Sequence, residues 1–264
     1  MKVYISVDLE GITGVTDWPE TELGNPEHAW ASQQMTLETL AACEGAIAAG
    51  ADEIFIKDAH DDARNLNISN IPDCATVIRG WTLEPESMMA GIDSSFDAAV
   101  FIGYHDAAGS DKSPLAHTMN RDNCWVKING KIAAEFDLNA YVAAEAGVPV
   151  VFVSGDEGIC RHAKKMVPEI ETVGVKYGVG EATFSMAPKK AVELIRKGVE
   201  EGLKKIEKCK LEIPEELVFE ANFKEHAHAH RSAFYPGAEQ IDEKTVRFVA
   251  KSVKEMMTAR MFIL

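Results

Sequence analysis

The chain opens with Met1-Lys2-Val3-Tyr4-Ile5-Ser6-Val7-Asp8-Leu9-Glu10-Gly11, and its architecture can be inferred outward from this segment. The apolar run predicts a buried central strand that ends at Asp8 and Glu10. Residues two apart in an extended chain point to the same side, so both carboxylates converge on one point. In open α/β sheets, ligands bind just outside the carboxyl ends of the strands. Two adjacent carboxylates repel each other unless a cation, a proton or a donor lies between them, so this segment predicts a ligand site. The competing interpretation is an Asp that caps the next turn or helix.

Composition narrows the classes of function. With 264 residues, 46% of them hydrophobic and 26% charged, the chain can bury one large core, or one core and a small satellite domain. The net charge of −15, from 27 basic and 42 acidic residues, argues against nucleic acid and membranes as partners and favours a metal or an amine. Five scattered cysteines without a C-x-x-C pair argue against a disulfide framework and a thiolate zinc site. Without a signal sequence or a membrane-length apolar run, we expect a cytoplasmic protein.

Strand and helix patterns alternate along the first two hundred residues. After the opening strand, further strands are predicted at 53–56, 75–78, 98–102, 149–153 and 172–176, with helices at 85–92, at 137–146 and along an amphipathic segment from Val192 to Ile206. Asn25-Pro26 predicts the start of the first long helix, which Gly50 ends, with its inward face formed by Trp30, Leu37, Leu40 and Ile47. This alternation predicts an α/β fold, a doubly wound, mostly parallel sheet with helices on both faces.

Two other features interrupt that pattern. Asn129-Gly130 between two short strands predicts a hairpin insertion, because both central residues of a type I′ turn need positive φ.

The charged segment 204–210 predicts a domain boundary. We therefore expect an α/β catalytic domain with the metal site at 1–208 and a small α+β subdomain at 209–264. A unit of that size is marginally stable alone, so it should pack on the main domain or at a subunit interface.

Candidate metal ligands follow the predicted strands. Asp8 and Glu10 come after the first strand, His60 after the second, His105 after the strand at 98–102, and Glu135 at the exit of the hairpin. Carboxylate and imidazole without thiolate suit zinc, manganese or iron at an open hydrolytic site. Five ligands exceed the need of one tetrahedral ion with a water, and they suit two ions that share a bridging carboxylate. Any one of these histidines alone is more often an ordinary core or surface residue.

Several short motifs together carry a family resemblance. They are Ser6-Val7-Asp8-Leu9-Glu10-Gly11, Asp58-Ala59-His60, Gly103-Tyr104-His105, His117-Thr118-Met119, Asn129-Gly130 with Glu135, and Ser154-Gly155-Asp156. On these motifs the chain resembles, over essentially its whole length, the M55 family of metallo-aminopeptidases, the D-aminopeptidases.

The resemblance implies a function and a site. It implies two Zn²⁺ ions per subunit, with Asp8 bridging, Glu10 and His60 completing one ion, and His105 and Glu135 completing the other. It also implies release of the N-terminal D-residue from short peptides, and a ring-like homo-oligomer whose active sites face an inner cavity. His117 would lie beside the metals and act on the substrate.

His117 is the candidate catalytic residue. It lies on a loop before the hairpin instead of directly after a core strand, and five ligands already account for two ions and a water. We therefore hypothesise that it donates to the oxyanion or protonates the leaving amine. The alternative is that His117 is itself a ligand and one of the five is not.

Other readings of the chain stay open. A dinuclear phosphoesterase or an amidase could use the same ligands, although a phosphoesterase would want cations nearby, for which Lys57 and Arg121 are the only near candidates. A non-catalytic, metal-stabilised oligomer that binds peptides is a third interpretation.

A separate histidine run consists of His226, His228 and His230. We interpret it as a solvated or interface face rather than as a metal site, because no acidic residue flanks it suitably.

Overall fold

A computed structural model describes all 264 residues, Met1 to Leu264. The strands are β1 (Lys2–Val7), β2 (Glu53–Asp58), β3 (Ala75–Ile78), β4 (Ala98–Tyr104), β5 (Asn123–Ile128), β6 (Lys131–Ile132), β7 (Val150–Asp156), β8 (Glu171–Val179), β9 (Ala182–Ser185), β10 (Leu217–Phe223), β11 (Glu239–Gln240) and β12 (Thr245–Ala250). The α-helices are α1 (His28–Ala48), α2 (Glu135–Glu145), α3 (Glu157–Met166), α4 (Pro188–Leu203), α5 (His226–Ser232) and α6 (Val253–Ile263). None of these helices combines the length and the apolar character that crossing a lipid bilayer requires.

The main sheet has seven strands in the order β3-β2-β1-β4-β7-β8-β9. All neighbours are parallel except the pair β8 and β9, which confirms the predicted doubly wound, mostly parallel sheet. The chain winds from β1 toward β3 on one side and from β4 toward β9 on the other. Crossovers between parallel strands are right-handed as a rule, which puts α1 on one face of the sheet and α2 and α3 on the other. The contacts agree, since α1 packs on α4 and α2 packs on α3. The order reverses between β1 and β4, which is where such sheets bind ligands.

The central strand predicted from the opening segment is confirmed. β1 pairs in parallel with β2 on one side and β4 on the other, and Val3, Tyr4, Ile5 and Val7 are completely buried. Each such apolar side chain stabilises the fold by about 1.5–3 kcal/mol relative to an exposed one. The carboxyl end of β1 is therefore firmly placed in the middle of the sheet.

A second, antiparallel sheet has the order β11-β12-β10-β5-β6. Its β5–β6 hairpin turns at Asn129 and Gly130, both with positive φ, as the sequence predicts. β5 pairs with β10, so residues before and after position 208 share one sheet. The helix α6 packs on β10, β12 and α2, and one continuous hydrophobic core joins the two sheets. The division of the chain at 208 and 209 stays a prediction.

The helix predicted at 85–92 is wrong, because the structure has only a 3₁₀ turn at Ser87–Met89. Ser87 has a positive φ of 51°, which interrupts an α-helix. The Tyr4 hydroxyl donates to the carbonyl of Ala90, and the Ser6 hydroxyl donates to that of Met88. Side chains of β1 thus satisfy carbonyls that a helix would have satisfied itself.

The first long helix is confirmed, but its predicted start and inward face are wrong. It begins at His28, and Trp30, Leu37 and Ile47 are between 43 and 46% exposed. The buried face carries mostly small or polar residues, among them Ala31, Glu38, Thr39, Ala42, Cys43, Gly45 and Ala46. Close packing on α4 explains this choice, because a Cβ at Gly45 would lie 2.3 Å from the carbonyl oxygen of Arg196. Large residues are therefore kept to the outer face.

Candidate metal centre

The ends of three central strands bring the predicted ligands together. Asp8 and Glu10 follow β1, His60 follows β2 and His105 follows β4, while Glu135 is the first residue of α2. All five residues are at most 5% exposed. They form two groups, Asp8-Glu10-His60 and Asp8-His105-Glu135, and the ligand atoms of each group lie within 4.8 Å of one another. Asp8 belongs to both groups.

The first group is centred on His60. Its Nδ1 lies 2.9 Å from Oε2 of Glu10 and 3.2 Å from Oδ1 of Asp8. Its Nε2 lies 2.8 Å from the carbonyl oxygen of Thr21, which can only accept a hydrogen bond. Nε2 therefore carries a proton, and Nδ1 is the ring nitrogen that faces the carboxylates and could bind a metal.

The second group is centred on His105. Its Nε2 lies 3.4 Å from Oδ2 of Asp8 and 3.5 Å from Oε2 of Glu135. Its Nδ1 donates to the carbonyl of Asp106 at 3.0 Å, which leaves Nε2 as the free nitrogen. The two oxygens of Asp8 thus face two different histidines, which is the arrangement of a bridging carboxylate.

Orphaned polar atoms at this site fit a metal. Asp8 Oδ2, Glu10 Oε2 and His105 Nε2 are buried and make no well-aligned hydrogen bond, although Nδ1 of His60 lies 2.9 Å from Oε2 of Glu10. Leaving one such group unsatisfied costs about 1–3 kcal/mol, and more if it is charged. Zn²⁺ accepts both carboxylate oxygen and imidazole nitrogen, so divalent ions bound here would satisfy all three atoms.

The electrostatics of the site also call for positive charge. Burial and the neighbouring Glu10 raise the pKa of Asp8. Burial opposes ionisation of Glu10 too, but the imidazoles of His60, His117 and His105 outweigh it and lower its pKa. Burial disfavours the cationic forms of His60 and His105, yet the carboxylates prevail and raise the pKa of both. The carboxylates therefore depend on nearby positive charge, from protonated imidazole or from metal ions.

His117 lies beside both groups. Its ring stacks on that of His105, with centroids 4.2 Å apart, and its Nδ1 donates to the carbonyl of Leu115. The free Nε2 lies 3.6 Å from Oε1 of Glu135 and 3.8 Å from Oε1 of Glu10. Burial and the adjacent His105 lower the pKa of His117, which favours the neutral ring. Because Glu10, His105 and His117 form a third possible ligand group, its catalytic role stays a hypothesis.

Lys176 supports the site and has no signal in the sequence. It lies in β8, its side chain is buried, and its Nζ donates to the carbonyls of Glu10 and Val15. Burial lowers its pKa to about 8. The lysine thereby fixes the loop that carries Glu10.

Glycine at position 103 lets the loops after β1 and β4 approach each other. Its φ is +71°, its carbonyl accepts a hydrogen bond from the amide of Gly11 at 2.8 Å, and an added Cβ would lie 2.2 Å from the carbonyl oxygen of Asp8. A side chain at this position would therefore push Asp8 out of place.

We expect Gly103→Ala to reduce both stability and metal binding. Gly50 is the matched control, because its φ is also positive, at +99°, but its surroundings are open. Gly50→Ala should cost about 1 kcal/mol through backbone strain, and Gly103→Ala about 1–3 kcal/mol more through overpacking. Denaturant unfolding with zinc titration checks this. Equal losses in the two variants would contradict it.

A cavity of about 560 Å³ opens over the ligands. Trp18, Trp81 and Arg121 are among the residues that line it. Lys57 is excluded from the cavity, since its buried Nζ donates to the carbonyls of Asp58 and Gly80, behind the ring of Trp81. Of the two cations named for a phosphoesterase, one therefore faces the site.

The histidine run lies apart from this centre. His226, His228 and His230 are on the short helix α5, where they form no group suited to a metal. His228 contacts Phe223 and His230 contacts Phe234 through ring edges. The interpretation as a solvated or interface face stays a prediction.

Known proteins of one family are similar to this chain over nearly its whole length. Residues 1–262 match the family model Peptidase M55, described as D-aminopeptidase. The D-aminopeptidase of Bacillus subtilis (strain 168) is 31% identical over 262 residues, which cover 98% of this chain and 95% of that protein. Among solved structures, the chain is similar to the Zn-dependent D-aminopeptidase DppA from Bacillus subtilis, a self-compartmentalizing protease. That similarity has a TM-score of 0.94 at 30% identity and covers 100% of this chain and 96% of the other.

Proposed function

Because this chain belongs to peptidase family M55, the D-aminopeptidases, we propose that it releases the N-terminal D-residue of short peptides with two zinc ions held at the sheet edge. One observation carries the dinuclear part of the proposal. The two oxygens of Asp8 face two separate groups of ligands, one with Glu10 and His60 and the other with His105 and Glu135. A single ion would leave the carboxylates of one of these groups with only a protonated imidazole to balance them.

Different residues of the site would have different roles in the reaction. Asp8, Glu10, His60, His105 and Glu135 would hold the metal ions, which supply an acidified water and polarise the scissile carbonyl when bound. The acidic cavity favours the ammonium group of a peptide N-terminus.

His117 would act on the substrate. Its pKa is lowered and its Nδ1 is occupied by the carbonyl of Leu115, so Nε2 is the atom that exchanges protons. A ring of this kind can take a proton and deliver it to the leaving amine.

Self-association into a ring is part of the proposal. The solved relative DppA is described as self-compartmentalizing. In this chain Trp30, Leu37 and Ile47 are large apolar side chains exposed on α1. Exposed apolar surface of this kind supports burial against another copy of the chain.

Chelation tests the proposed function. We expect a strong chelator to abolish hydrolysis of D-alanyl p-nitroanilide and added Zn²⁺ to restore it, because the reaction needs the acidified water. The L-alanyl compound should be cleaved more slowly, and phosphate monoesters should not be cleaved. Activity that persists after complete metal removal, or turnover of the phosphate esters alone, would refute the proposal.

A further inference from the structure

The charge of the cavity is unbalanced. Six carboxylates line it, from Asp8, Glu10, Glu22, Asp61, Asp122 and Glu135. Arg121 is the only lysine or arginine among the lining residues. The metal ions would offset the carboxylates of Asp8, Glu10 and Glu135, so Arg121 is the permanent cation that the rest of the lining offers to an anionic group of the substrate.

Arg121 is exposed, and its guanidinium stacks on an aromatic ring but forms no ion pair. Its Cζ lies 4.1 Å over the ring of Trp18. It takes part in none of the ion pairs of the protein, unlike Arg64, Arg161 and Arg247. Stacking on an aromatic ring leaves the in-plane N–H groups free, and their fork matches a carboxylate.

The two residues just before Arg121 are anchored by hydrogen bonds, one of them to a candidate metal ligand. The amide of Met119 donates to Oε1 of Glu135 at 2.7 Å. The side-chain amide of Asn120 donates to the carbonyl of Leu264 at 2.9 Å. These bonds fix the segment relative to a metal ligand, so the position of Arg121 is set with respect to the scissile bond.

The spacing suits a short peptide. Trp18 contacts both residues, because its ring centroid lies 5.4 Å from that of His117 and 4.1 Å from Cζ of Arg121. The His117 ring and the guanidinium are therefore at most about 9.5 Å apart, a distance that two or three extended residues span at about 3.3–3.6 Å each.

We propose that Arg121 binds the C-terminal carboxylate of the substrate and so selects dipeptides and tripeptides with a free C-terminus. This inference rests on the proposed aminopeptidase function. The metals receive the amino end, the guanidinium receives the carboxylate, and the distance between them sets the length of peptide that fits. A longer chain would place its carboxylate beyond Arg121.

The test compares D-Ala-Gly with its C-terminal amide, which differs by one charge at nearly the same shape. The kcat/KM of the wild type should favour the acid by about tenfold or more, since charge-assisted hydrogen bonds are the strong ones. Arg121→Gln should bring the ratio of acid to amide close to one, mainly by raising KM for the acid. Arg121→Lys should keep part of the preference, because a point charge remains without the fork.

Arg231→Ala is the matched control. Arg231 is exposed on α5 and does not line the cavity, so its loss changes the net charge equally and should leave the ratio at the wild-type value. A wild type without preference for the acid, or an Arg121→Gln variant that keeps it, would overturn the inference. D-alanyl p-nitroanilide, which has no carboxylate, distinguishes failure of this inference from failure of the proposed function. If the wild type cleaves neither this compound nor the dipeptides, the proposed function is wrong.

Discussion

Asp8→Ala should release both zinc ions and abolish peptide hydrolysis. Oδ1 of Asp8 faces His60 and Oδ2 faces His105, so this one side chain contributes to both groups of ligands. Loss of a residue that merely orients a ligand costs about 10–100-fold in metal affinity or activity. Loss of a shared ligand should therefore reduce kcat/KM by more than about a thousandfold. Metal analysis after gel filtration, together with D-alanyl p-nitroanilide kinetics, measures both effects.

Two further variants make the Asp8 prediction specific. Glu10→Ala should lower the zinc content from two ions per chain to about one, because Glu10 completes only the group with His60. Asp73→Asn removes one exposed carboxylate far from the cavity lining and should change neither quantity. An Asp8→Ala protein that still holds both ions would contradict the bridging role.

His117→Ala should lower kcat by about a hundredfold or more while zinc stays at the wild-type content. The side chain of His117 is 13% exposed toward the cavity, compared with 1% for that of His105, on which its ring stacks. Its Nε2 is free and 3.6 Å from the nearest carboxylate oxygen of Glu135. Removing the imidazole of His117 should therefore eliminate a proton donor and acceptor without removing a metal ligand. Steady-state kinetics on D-alanyl p-nitroanilide, with zinc measured on the same sample, checks the prediction.

The contrary outcome for His117 is informative. Loss of one zinc ion along with the activity would show that Glu10, His105 and His117 hold that ion, as their proximity permits. One of the five other residues would then have to leave the ligand set. His162→Ala is a suitable control, because His162 is paired with Asp137 at 2.6 Å and does not line the cavity.

Much of the candidate site could be predicted from the sequence because its residues follow strands. Asp8, His60 and His105 each come directly after, or within two residues of, an apolar run that forms a central strand. Parallel strands in a doubly wound sheet end at the same edge, so sequence position alone predicts that these side chains meet.

Contacts made by the backbone or by distant segments could not be predicted in this way. The carbonyl of Thr21 fixes the tautomer of His60, yet a carbonyl oxygen is present at every position of the chain. Lys176 reaches the loop of Glu10 from β8, about 166 residues away in sequence, and ordinary lysines are exposed.

The inward face of α1 could not be predicted from the sequence either. Periodicity of large apolar residues predicts burial of Trp30 and Leu37, but close helix packing selects small residues such as Gly45 for the inner face.

The strand that pairs with the β5–β6 hairpin could not be predicted for a different reason. β10 follows it by some ninety residues, and no local pattern indicates which strand will pair.

Anomalous diffraction at the zinc edge, on crystals of the zinc-loaded protein, tests the central claim most directly. We expect two peaks per chain, roughly 3.5–4 Å apart, as in other two-metal sites. Asp8 should contact both peaks, with Glu10 and His60 at one and His105 and Glu135 at the other. A single peak, or two peaks of which Asp8 contacts only one, would contradict the account.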